Sequence, residues 1–302
     1  MMNSSGLALA VDLGATHLRE ALADPSGAFV IRDNRDVDPT LAADVLVSQI
    51  AAAARDLLAR SGVVTPVAVG IACPGVIDVE AGLVRGARNF RGWQGVPLAR
   101  MLSEALGAPV FIENDVNAAA LGESWRGAGR GLDSLAFIAV GTGIGVGIVI
   151  DGRVYRGAHF AAGEVNSLPS GVDDADVESI ASGPAIVRRA LAANVGRSRD
   201  TELTTDAVFA AAASGDPAAA LVVGDALRAL GRTVAWLIAA LDPAVVVVGG
   251  GVSRQGESLL PPIRAEVQRY VSDRAPVVLS KLGVDAQLHG ALRLALDAVS
   301  RQ

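Results

Sequence analysis

The sequence predicts an α/β protein built from two related lobes. The chain has 302 residues, which is more than a single hydrophobic core usually serves. A pattern of strand, turn with glycine and threonine, strand, turn and strand occurs twice, first near Leu7 and again near Leu135. The two copies lie about 125 residues apart, which fits no solenoid period. We therefore expect each lobe to contain a mixed sheet flanked by helices.

The first lobe is expected to open with three short strands. Gly14-Ala15-Thr16 and Asp24-Pro25-Ser26-Gly27 separate them, and connections this tight imply antiparallel hairpins. Asp38 and Pro39 suit the N-cap and first position of a helix, which is predicted to begin there. The predicted elements are, in order, strands Leu7–Leu13, Leu18–Ala23 and Ala28–Arg32, a helix from Asp38, strand Pro66–Ala72, loop Cys73–Asp78, helix Leu98–Leu106 and strand Pro109–Ile112.

The second lobe is expected to repeat that beginning. Gly141–Gly147 is predicted as a turn, and Asp151-Gly152 between apolar runs indicates a hairpin. Val245–Val248 consists only of valine, so both faces of that strand should be buried. The other predicted elements are strand Ser134–Val140 and helices Pro184–Ala193, Thr205–Ala213, Asp216–Leu241, Ser258–Val271 and Ala286–Val299.

The composition argues against several classes of function. A net charge of −6 and a pI of about 5.1 do not favour a basic face that binds nucleic acid. Lys281 is the only lysine and no GxxxxGK[ST] run is present, so no lysine-based phosphate loop is expected. Cys73, the only cysteine, predicts neither a disulfide nor a cysteine-based zinc site. The N-terminus lacks basic residues and the longest apolar runs are interrupted, so a soluble cytoplasmic protein is expected.

The segment Phe111–Glu123 joins a predicted strand to a predicted helix. Asn114 and Asp115 stand where the strand ends, and open α/β folds bind ligands beyond the carboxyl ends of their strands. An amide both donates and accepts hydrogen bonds, whereas an ionised carboxylate only accepts them. The pair therefore suits a hydroxyl group that is held and then deprotonated. The alternative is a helix N-cap, for which Asn and Asp are also favoured.

Three turns that contain glycine follow three predicted strands. Glycine lets main-chain N–H groups approach phosphate oxygens without a lysine, and the hydroxyls of Thr16 and Thr142 add donors. Asp12 could hold a hydrated Mg²⁺, which prefers one or two carboxylates together with substrate phosphates. The three turns are Asp12–Thr16, Gly141–Gly145 and Gly249–Gly251.

The order of these motifs resembles the ROK family of sugar kinases and repressors, within the sugar kinase, Hsp70 and actin superfamily. Asp12–Thr16 resembles the first phosphate motif of that family, Gly141–Gly147 the second, and Leu241–Gly251 its adenosine motif. Further segments in family order are Ala72–Asp78, Asn89–Trp93, Glu113–Glu123 and Tyr155–Glu164. The resemblance covers nearly the whole chain. It implies a two-lobed actin-like ATPase fold, each lobe on an RNase H-like sheet, with ATP and sugar in the cleft.

The resemblance also implies roles for individual residues. Asp115 falls on the general base of the family. The substrate-binding residues implied are Asn89, Asn114, Glu164, Ser167 and Glu178. The nucleotide-binding residues implied are Asp12, Gly14, Thr16, Gly141, Thr142, Gly143, Gly249, Gly250 and Gly251, with Mg²⁺ held by Asp12 through water. The sugar-side lobe is expected to comprise residues 1–117 and 287–302, and the nucleotide-side lobe residues 118–286.

Two departures from the family pattern concern its zinc site. The ExGH motif reads Glu164-Val165-Asn166-Ser167, so Ser167 stands in place of the histidine that usually ligates zinc. The cysteine-rich loop expected before Glu178 is absent. The chain therefore resembles a glucokinase-like member without the zinc loop, and no zinc site is expected. A site built for particular hydroxyls discriminates sharply between sugars, so the substrate is left open.

The resemblance implies ATP-dependent phosphorylation of a hydroxyl on a hexose-like sugar. The expected cofactors are ATP and Mg²⁺, and the expected partners are a sugar and a second copy of the chain, without nucleic acid or membrane. A repressor of the family would carry a DNA-binding segment before the first phosphate motif, and Asp12 lies too near the N-terminus for that expectation. A non-catalytic sugar-binding or regulatory protein stays open as the alternative, because the zinc loop is missing.

Overall fold

The computed structural model describes residues 6–87, 90–195, 203–272 and 275–300. In chain order the elements are β1 (Ala8–Leu13), β2 (His17–Ala23), β3 (Phe29–Asp36), α1 (Ala43–Ser61), β4 (Val69–Cys73), β5 (Val76–Asp78), β6 (Leu83–Gly86), α2 (Leu98–Leu106), β7 (Val110–Asn114), α3 (Asp115–Arg126), β8 (Ser134–Val140), β9 (Ile144–Ile150), β10 (Arg153–Val154), α4 (Val177–Ala181), α5 (Gly183–Ala192), α6 (Thr205–Ala213), α7 (Pro217–Leu241), β11 (Val246–Gly249), a 3-10 helix (Gly251–Leu259), α8 (Leu260–Gln268), β12 (Val277–Leu279), a 3-10 turn (Gly283–Asp285) and α9 (Ala286–Ser300).

The chain splits into two compact units. The first contains Met1–Arg126, Arg156–Ala161 and Asp285–Gln302, and the second contains Gly127–Tyr155 and Ala162–Val284. Helix α3 belongs wholly to the first unit because it packs along α9. The boundary expected after residue 117 falls inside this helix.

The first unit contains a mixed five-stranded sheet in the order β3-β2-β1-β4-β7. Strands β1 to β3 pair antiparallel, whereas β1, β4 and β7 run parallel. Helices α1 and α2 cover one face with leucine, valine and isoleucine, as Leu46, Ile50, Leu57 and Leu102 illustrate. The opposite face is built largely from alanine and packs on α9. The parallel strands therefore end together at one edge of a sheet that is buried on both sides.

Small residues let α9 lie unusually close to the sheet and to α3. A Cβ atom on Gly70 would lie 1.8 Å from the carbonyl oxygen of Ala291, and one on Gly290 would lie 1.8 Å from that of Ala118. No side chain fits at such distances, so glycine is required at both contacts. This packing fixes the direction in which α3 leaves the end of β7.

The second unit repeats the arrangement with the sheet order β10-β9-β8-β11-β12. Strands β8 to β10 pair antiparallel, and β8, β11 and β12 run parallel. The core is formed by β8, β9 and β11 together with α4 to α8. Strand β11 is buried at all four residues, as its valine run predicted.

These sheets confirm the predicted α/β class, with mixed sheets flanked by helices. Helices α2, α6 and α7 and strand β8 have the predicted bounds, with Asp216 capping α7 through Ala218 and Ala219. Among the described residues no single helix is long and apolar enough to cross a membrane. The bent pair α6 and α7 passes that test only when its two helices are taken together.

Several predicted bounds in the first unit were wrong. Helix α1 begins at Ala43 rather than at Asp38, because the Asp38 carboxylate accepts hydrogen bonds from the main chain and hydroxyl of Thr40 and closes a local turn. The stretch Cys73–Asp78 is not a loop throughout, since Val76–Asp78 forms β5 and pairs with β6. That pairing partner lies in a stretch with no clear alternation.

The second unit also differs from expectation in places. Strand β9 begins at Ile144, so Gly145 and Gly147 lie in a strand that pairs with β8, not in a turn. The helix predicted over Ser258–Val271 is shorter in the structure, where α8 spans Leu260–Gln268. Ser258 and Leu259 belong to the preceding 3-10 helix, which is kinked at Gly256 with a φ of 74°. Strand β12 was not predicted, because its three residues are too few to show a period.

Candidate active site

The parallel strands of the first unit bring their polar terminal residues to one edge of the sheet. Asp12 at the end of β1 is level with Ala72 on β4, and Cys73 is level with Asn114 at the end of β7. Ligands of open α/β sheets bind beyond this edge. Asp115 follows Asn114 as the first residue of α3, so the predicted acceptor residues of this unit lie at the expected end.

Asn114 performs the capping role that was the alternative for this segment. Its Oδ1 accepts hydrogen bonds from the main-chain N–H groups of Val116, at 2.9 Å, and Asn117, at 3.1 Å. Its Nδ2 donates to the carbonyl oxygen of Gly75 at 3.0 Å. Both lone pairs of Oδ1 are therefore occupied. Any contact of Asn114 with a substrate is left to its second amide hydrogen.

Asp115 has a different environment from the asparagine beside it. It is partly exposed, and its Oδ1 also lies 2.9 Å from the main-chain nitrogen of Val116. It stands at the N-terminus of α3, where the helix dipole favours negative charge. Asn114 accepts the N–H groups of both Val116 and Asn117 and is therefore the main cap of α3.

Asp12 is a buried carboxylate with one close partner. Its side chain forms an ion pair with Arg19 at 2.5 Å. Burial raises the pKa of Asp12 to about 6; Arg19 opposes this rise, and the negative charge of Asp115 adds to it. Because Asp12 and Asp115 repel each other, a cation bound at this edge of the sheet would be stabilised by both. The donor set fits a hydrated Mg²⁺, which needs only one or two carboxylates from the protein.

The turn after β1 is a tight hairpin. The main-chain N–H of Gly14 donates to the carbonyl oxygen of His17 at 2.8 Å, and the carbonyl of Thr16 accepts from Val37 at 2.9 Å. The Thr16 side chain is exposed. In the first predicted phosphate motif, the Thr16 hydroxyl is therefore exposed at the surface. Main-chain hydrogen bonds to His17 and Val37 fix the backbone of the turn.

The two glycine turns of the second unit lie side by side. Strand β11 pairs with β8 so that Gly249 is level with Ala139, which places Gly250 against Val140. Gly250 has a φ of 84°, and a Cβ atom there would lie 2.5 Å from the carbonyl oxygen of Val140. The carbonyl of Gly141 accepts from the N–H of Gly183, which opens α5. Two of the three predicted phosphate turns are thus neighbours, with exposed glycine at Gly250 and Gly251.

Glu178 directly contacts the second of the three predicted phosphate turns. Its Oε2 accepts a hydrogen bond from the main-chain N–H of Ile144 at 2.9 Å. A Cβ atom on Gly143 would lie 2.7 Å from the same oxygen, so only glycine leaves room for this contact. One oxygen of the predicted sugar-binding carboxylate therefore serves to shape the turn.

The segment that carries Glu164 and Ser167 lies close to Glu178. Gly163 has a φ of 89° and packs on the main chain of Val146, which fixes the position of the next residue, Glu164. The main-chain N–H of Glu178 donates to the carbonyl oxygen of Asn166 at 3.1 Å. The side chains of Glu164 and Ser167 are exposed and accessible to a ligand.

Two further points concern the predicted site residues. Asn89, predicted to bind substrate, lies outside the described residues. Within the described ranges no group of three or more histidine, cysteine, aspartate or glutamate side chains is arranged to hold a metal ion.

Glu113 and Arg156 were missed by the sequence reasoning. The Glu113 side chain is 1% exposed and accepts hydrogen bonds from Arg156 just behind Asn114 and Asp115. The sequence indicated only that a glutamate stands at the end of an apolar strand. Such a glutamate needs an oppositely charged or hydrogen-bonding partner if it is buried. The sequence did not indicate which of the many arginines that partner would be.

Comparison with known proteins gives a consistent result. The model of the ROK family matches residues 8–298. A glucokinase from Thermotoga maritima is 34% identical, over 96% of this chain and 98% of the relative. A ROK hexokinase from Thermus thermophilus superposes with a TM-score of 0.84 at 33% identity, covering 98% of this chain and all of that one. A ROK glucokinase from Streptomyces griseus, solved with glucose and AMPPNP, gives a TM-score of 0.81 at 33% identity, covering 97% and 100%.

Regulators are also among the similar structures. A ROK family transcriptional regulator that is a homologue of the E. coli MLC protein superposes with a TM-score of 0.84 at 27% identity. The alignment covers 97% of this chain and 79% of the regulator. Similarity of fold therefore does not by itself separate catalysis from regulation.

Proposed function

The chain belongs to the ROK family, and we propose that it transfers the γ-phosphoryl group of ATP to a hydroxyl of a hexose-like sugar, with Asp115 as the general base. Its relatives include glucokinases at about one-third identity over nearly their whole length. The fold is the actin-like ATPase fold of the ROK sugar kinases it resembles. The residues described above supply groups suited to each part of this reaction.

The observation that carries the proposal is the position of Asp115. It is a partly exposed carboxylate that directly follows β7 and begins α3. Asn114, the residue before it, caps that helix. A carboxylate with a reference pKa near 3.9 is ionised at neutral pH. It can therefore accept a proton from an alcohol that approaches the carboxyl edge of the sheet. We assign it to that step because of its place at the carboxyl edge of the sheet and its partial exposure.

The phosphate groups are assigned to main-chain donors. Gly141, Thr142 and Gly143 form one turn beside Gly249–Gly251, and Gly14 with Thr16 forms another. The N–H groups of Gly14 and Gly141 donate within their own turns. The remaining N–H groups of these turns would be the donors to phosphate oxygens, without any lysine. Asp12 would hold Mg²⁺ through water, and the ion would neutralise charge on the phosphates of the nucleotide.

Asp115 need not remove the proton before phosphoryl transfer begins. The transition state is loose, so the alcohol becomes acidic only as its oxygen bonds to phosphorus. A positioned base then contributes roughly 10²–10⁴ in rate. The remainder comes from alignment of the hydroxyl with the phosphorus atom and from donors around the transferred group.

Sugar binding is assigned to exposed or partly exposed polar groups. Glu164, Ser167 and the second oxygen of Glu178 are candidates in the second unit, and the free amide hydrogen of Asn114 in the first. Asn89 is retained from the family pattern. Glucose is the first sugar to test, because the Streptomyces griseus relative was solved with it.

The test compares Asp115→Asn with wild type in an ADP-release assay over glucose and other hexoses. We expect kcat to fall at least about a hundredfold, because the amide cannot accept the proton. Sugar should still bind, as measured by calorimetry. Asp44→Asn is the matched control, since Asp44 also lies in the first turn of a helix in this unit but is exposed. Full turnover by Asp115→Asn on the best sugar would refute the base assignment.

A non-catalytic sugar-binding regulator is the second candidate, because a ROK regulator superposes as well as the kinases do. Such a protein would bind a sugar in calorimetry and release no ADP with any sugar of the panel. ADP release that depends on sugar separates the two functions.

A further inference from the structure

Glu113 carries a buried negative charge directly behind the proposed base. Its side chain is 1% exposed. One oxygen, Oε1, accepts from the main-chain N–H of Asn114 at 3.0 Å and from Nδ2 of Asn117 at 3.2 Å. The other, Oε2, accepts from Nε of Arg156 at 2.8 Å and from Nη2 of the same guanidinium. A charge this deeply buried is tolerated only because its oxygens are paired in this way.

Arg156 comes from a distant part of the chain. It lies 43 residues beyond Glu113 and begins the short segment Arg156–Ala161, which clusters with the first unit. The guanidinium uses two donors on one carboxylate oxygen, so both the distance and the direction of Glu113 are set. Phe160, later in the same segment, lies 5.2 Å beneath the guanidinium of Arg85 and gives the segment a second attachment.

The Glu113 carboxylate joins the residues on either side of Asp115. It binds the main chain of Asn114 before the base and the side chain of Asn117 after it. Asn114 in turn accepts the N–H groups of Val116 and Asn117. The first turn of α3 is therefore held by a continuous chain of hydrogen bonds that starts at Arg156.

We propose that Arg156 and Glu113 are positioning residues for phosphoryl transfer: the ion pair orients the first turn of α3 and thereby the carboxylate of Asp115. The inference rests on the proposed function of Asp115. A buried ion pair contributes little net stability compared with apolar residues, but removing one partner leaves an unpaired buried charge. Loss of Arg156 should therefore destabilise the protein around Glu113 and displace the turn that carries the base, which hydrogen bonds join to Glu113.

The experiment compares Arg156→Gln, Arg156→Lys, Glu113→Gln and the double variant Glu113→Gln/Arg156→Gln. Arg156→Gln should lower kcat about tenfold or more while the KM for ATP changes less than about twofold, because misplacing a catalytic group by about an ångström costs that much. The kcat of Arg156→Lys should be intermediate, since lysine keeps the positive charge but lacks the paired donors of the planar guanidinium. The double variant should recover part of the loss, because no charge is left unpaired.

Hydrogen exchange gives a readout that does not depend on turnover. In Arg156→Gln the amides of Asn114, Val116 and Asn117 should exchange faster than in wild type, while those of α1 are unchanged. The control is Arg60→Gln, which breaks ion pairs with Asp33 and Asp56 at the surface of the same unit. It should leave both kcat and the exchange of α3 as in wild type.

The outcomes are distinct. Unchanged exchange of α3 in folded Arg156→Gln, or a fall in kcat that only matches a lower folded fraction, would overturn the positioning role. If Asp115→Asn is inactive while Arg156→Gln is fully active, only the inference drawn here fails. If Asp115→Asn keeps full turnover, the proposed function fails, whatever Arg156→Gln does.

Discussion

The two units share a sheet topology but differ in the chemistry at the carboxyl edge of that sheet. Each has three antiparallel strands followed by two parallel ones, in the orders β3-β2-β1-β4-β7 and β10-β9-β8-β11-β12. In the first unit, that edge carries the carboxylates of Asp12 and Asp115. In the second unit, it carries the glycine turns at Gly141 and Gly250. One edge offers acceptors and negative charge, and the other offers main-chain donors.

The strand pairs next to the first turn of each unit show which residue positions differ between the two sheets. In the hairpin of β1 and β2, the second residue pair from the turn is Asp12 with Arg19, and the third is Val11 with Glu20. The corresponding pairs on β8 and β9 are Ala139 with Gly145 and Ile138 with Val146. The positions of the ionisable residues Asp12, Arg19 and Glu20 in the first unit are therefore occupied by small or apolar residues in the second.

One sheet topology therefore presents two different kinds of chemical group. Carboxylates suit a hydroxyl that must lose a proton, whereas phosphate oxygens need donors and room for a close approach of the backbone. In the proposed reaction, the first unit would provide the carboxylates. The second unit would provide the main-chain donors, at positions where glycine leaves room for them.

The largest expected effect comes from adding one methyl group to the glycine turn of the second unit. Gly250→Ala must place a Cβ atom 2.5 Å from Val140 at a φ of 84°. We expect a loss of about 3 kcal/mol or more in the free energy of unfolding, measured by denaturant titration. Gly14→Ala in the first unit is the matched control, because its Cβ atom would lie 3.2 Å from the nearest atom and no positive φ is required. Equal losses of unfolding free energy in the two variants would show that the glycine turns of the two units do not differ in their need for glycine.

The second prediction concerns a buried acidic side chain of the first unit. Glu20 is fully buried, and neither of its oxygens has a hydrogen-bond partner among the described residues. Burial raises the pKa of Glu20 to about 8, with Arg35 opposing and Asp33 and Asp56 adding to the shift. The folded protein therefore keeps a proton that the unfolded chain loses above its ordinary pKa of 4.5.

The sign of the resulting pH dependence follows from proton linkage. The stability contributed by protonated Glu20 is fully present below pH 4.5 and is lost as the pH rises toward 8. The loss amounts to at most about 1.4 kcal/mol per pH unit. Glu20→Gln cannot titrate, so its unfolding free energy should vary less between these pH values. Parallel curves for wild type and Glu20→Gln would show that Glu20 is ionised in the folded protein.

The smallest expected effect concerns the contact that shapes the second phosphate turn. Glu178→Ala removes the acceptor of the Ile144 N–H and should raise the KM for ATP about tenfold, since a hydrogen bond to a charged group is lost. Glu178→Gln keeps an acceptor oxygen and should stay within about threefold. If the KM for sugar changes and that for ATP does not, Glu178 serves the sugar rather than the turn.

Local signals in the sequence determined much of this protein. The bounds of α7 follow from Asp216 at its N-cap and from Asp242-Pro243 directly after Leu241, both of which act within a few residues. The burial of β11 follows from its valine run alone. The glycine turns and the Asn114-Asp115 junction were likewise visible, because short motifs carry their own backbone requirements.

Tertiary structure alone decided the partners of the buried charges. Arg156 could not be assigned to Glu113 from the sequence, since the two are 43 residues apart and no local period links them. The burial of Glu20 was equally hidden, because a single glutamate in a short strand gives no sign of the helix that covers it. Local propensity acts over one turn or one strand, whereas the pairing of a charge depends on which distant segments the whole fold brings together.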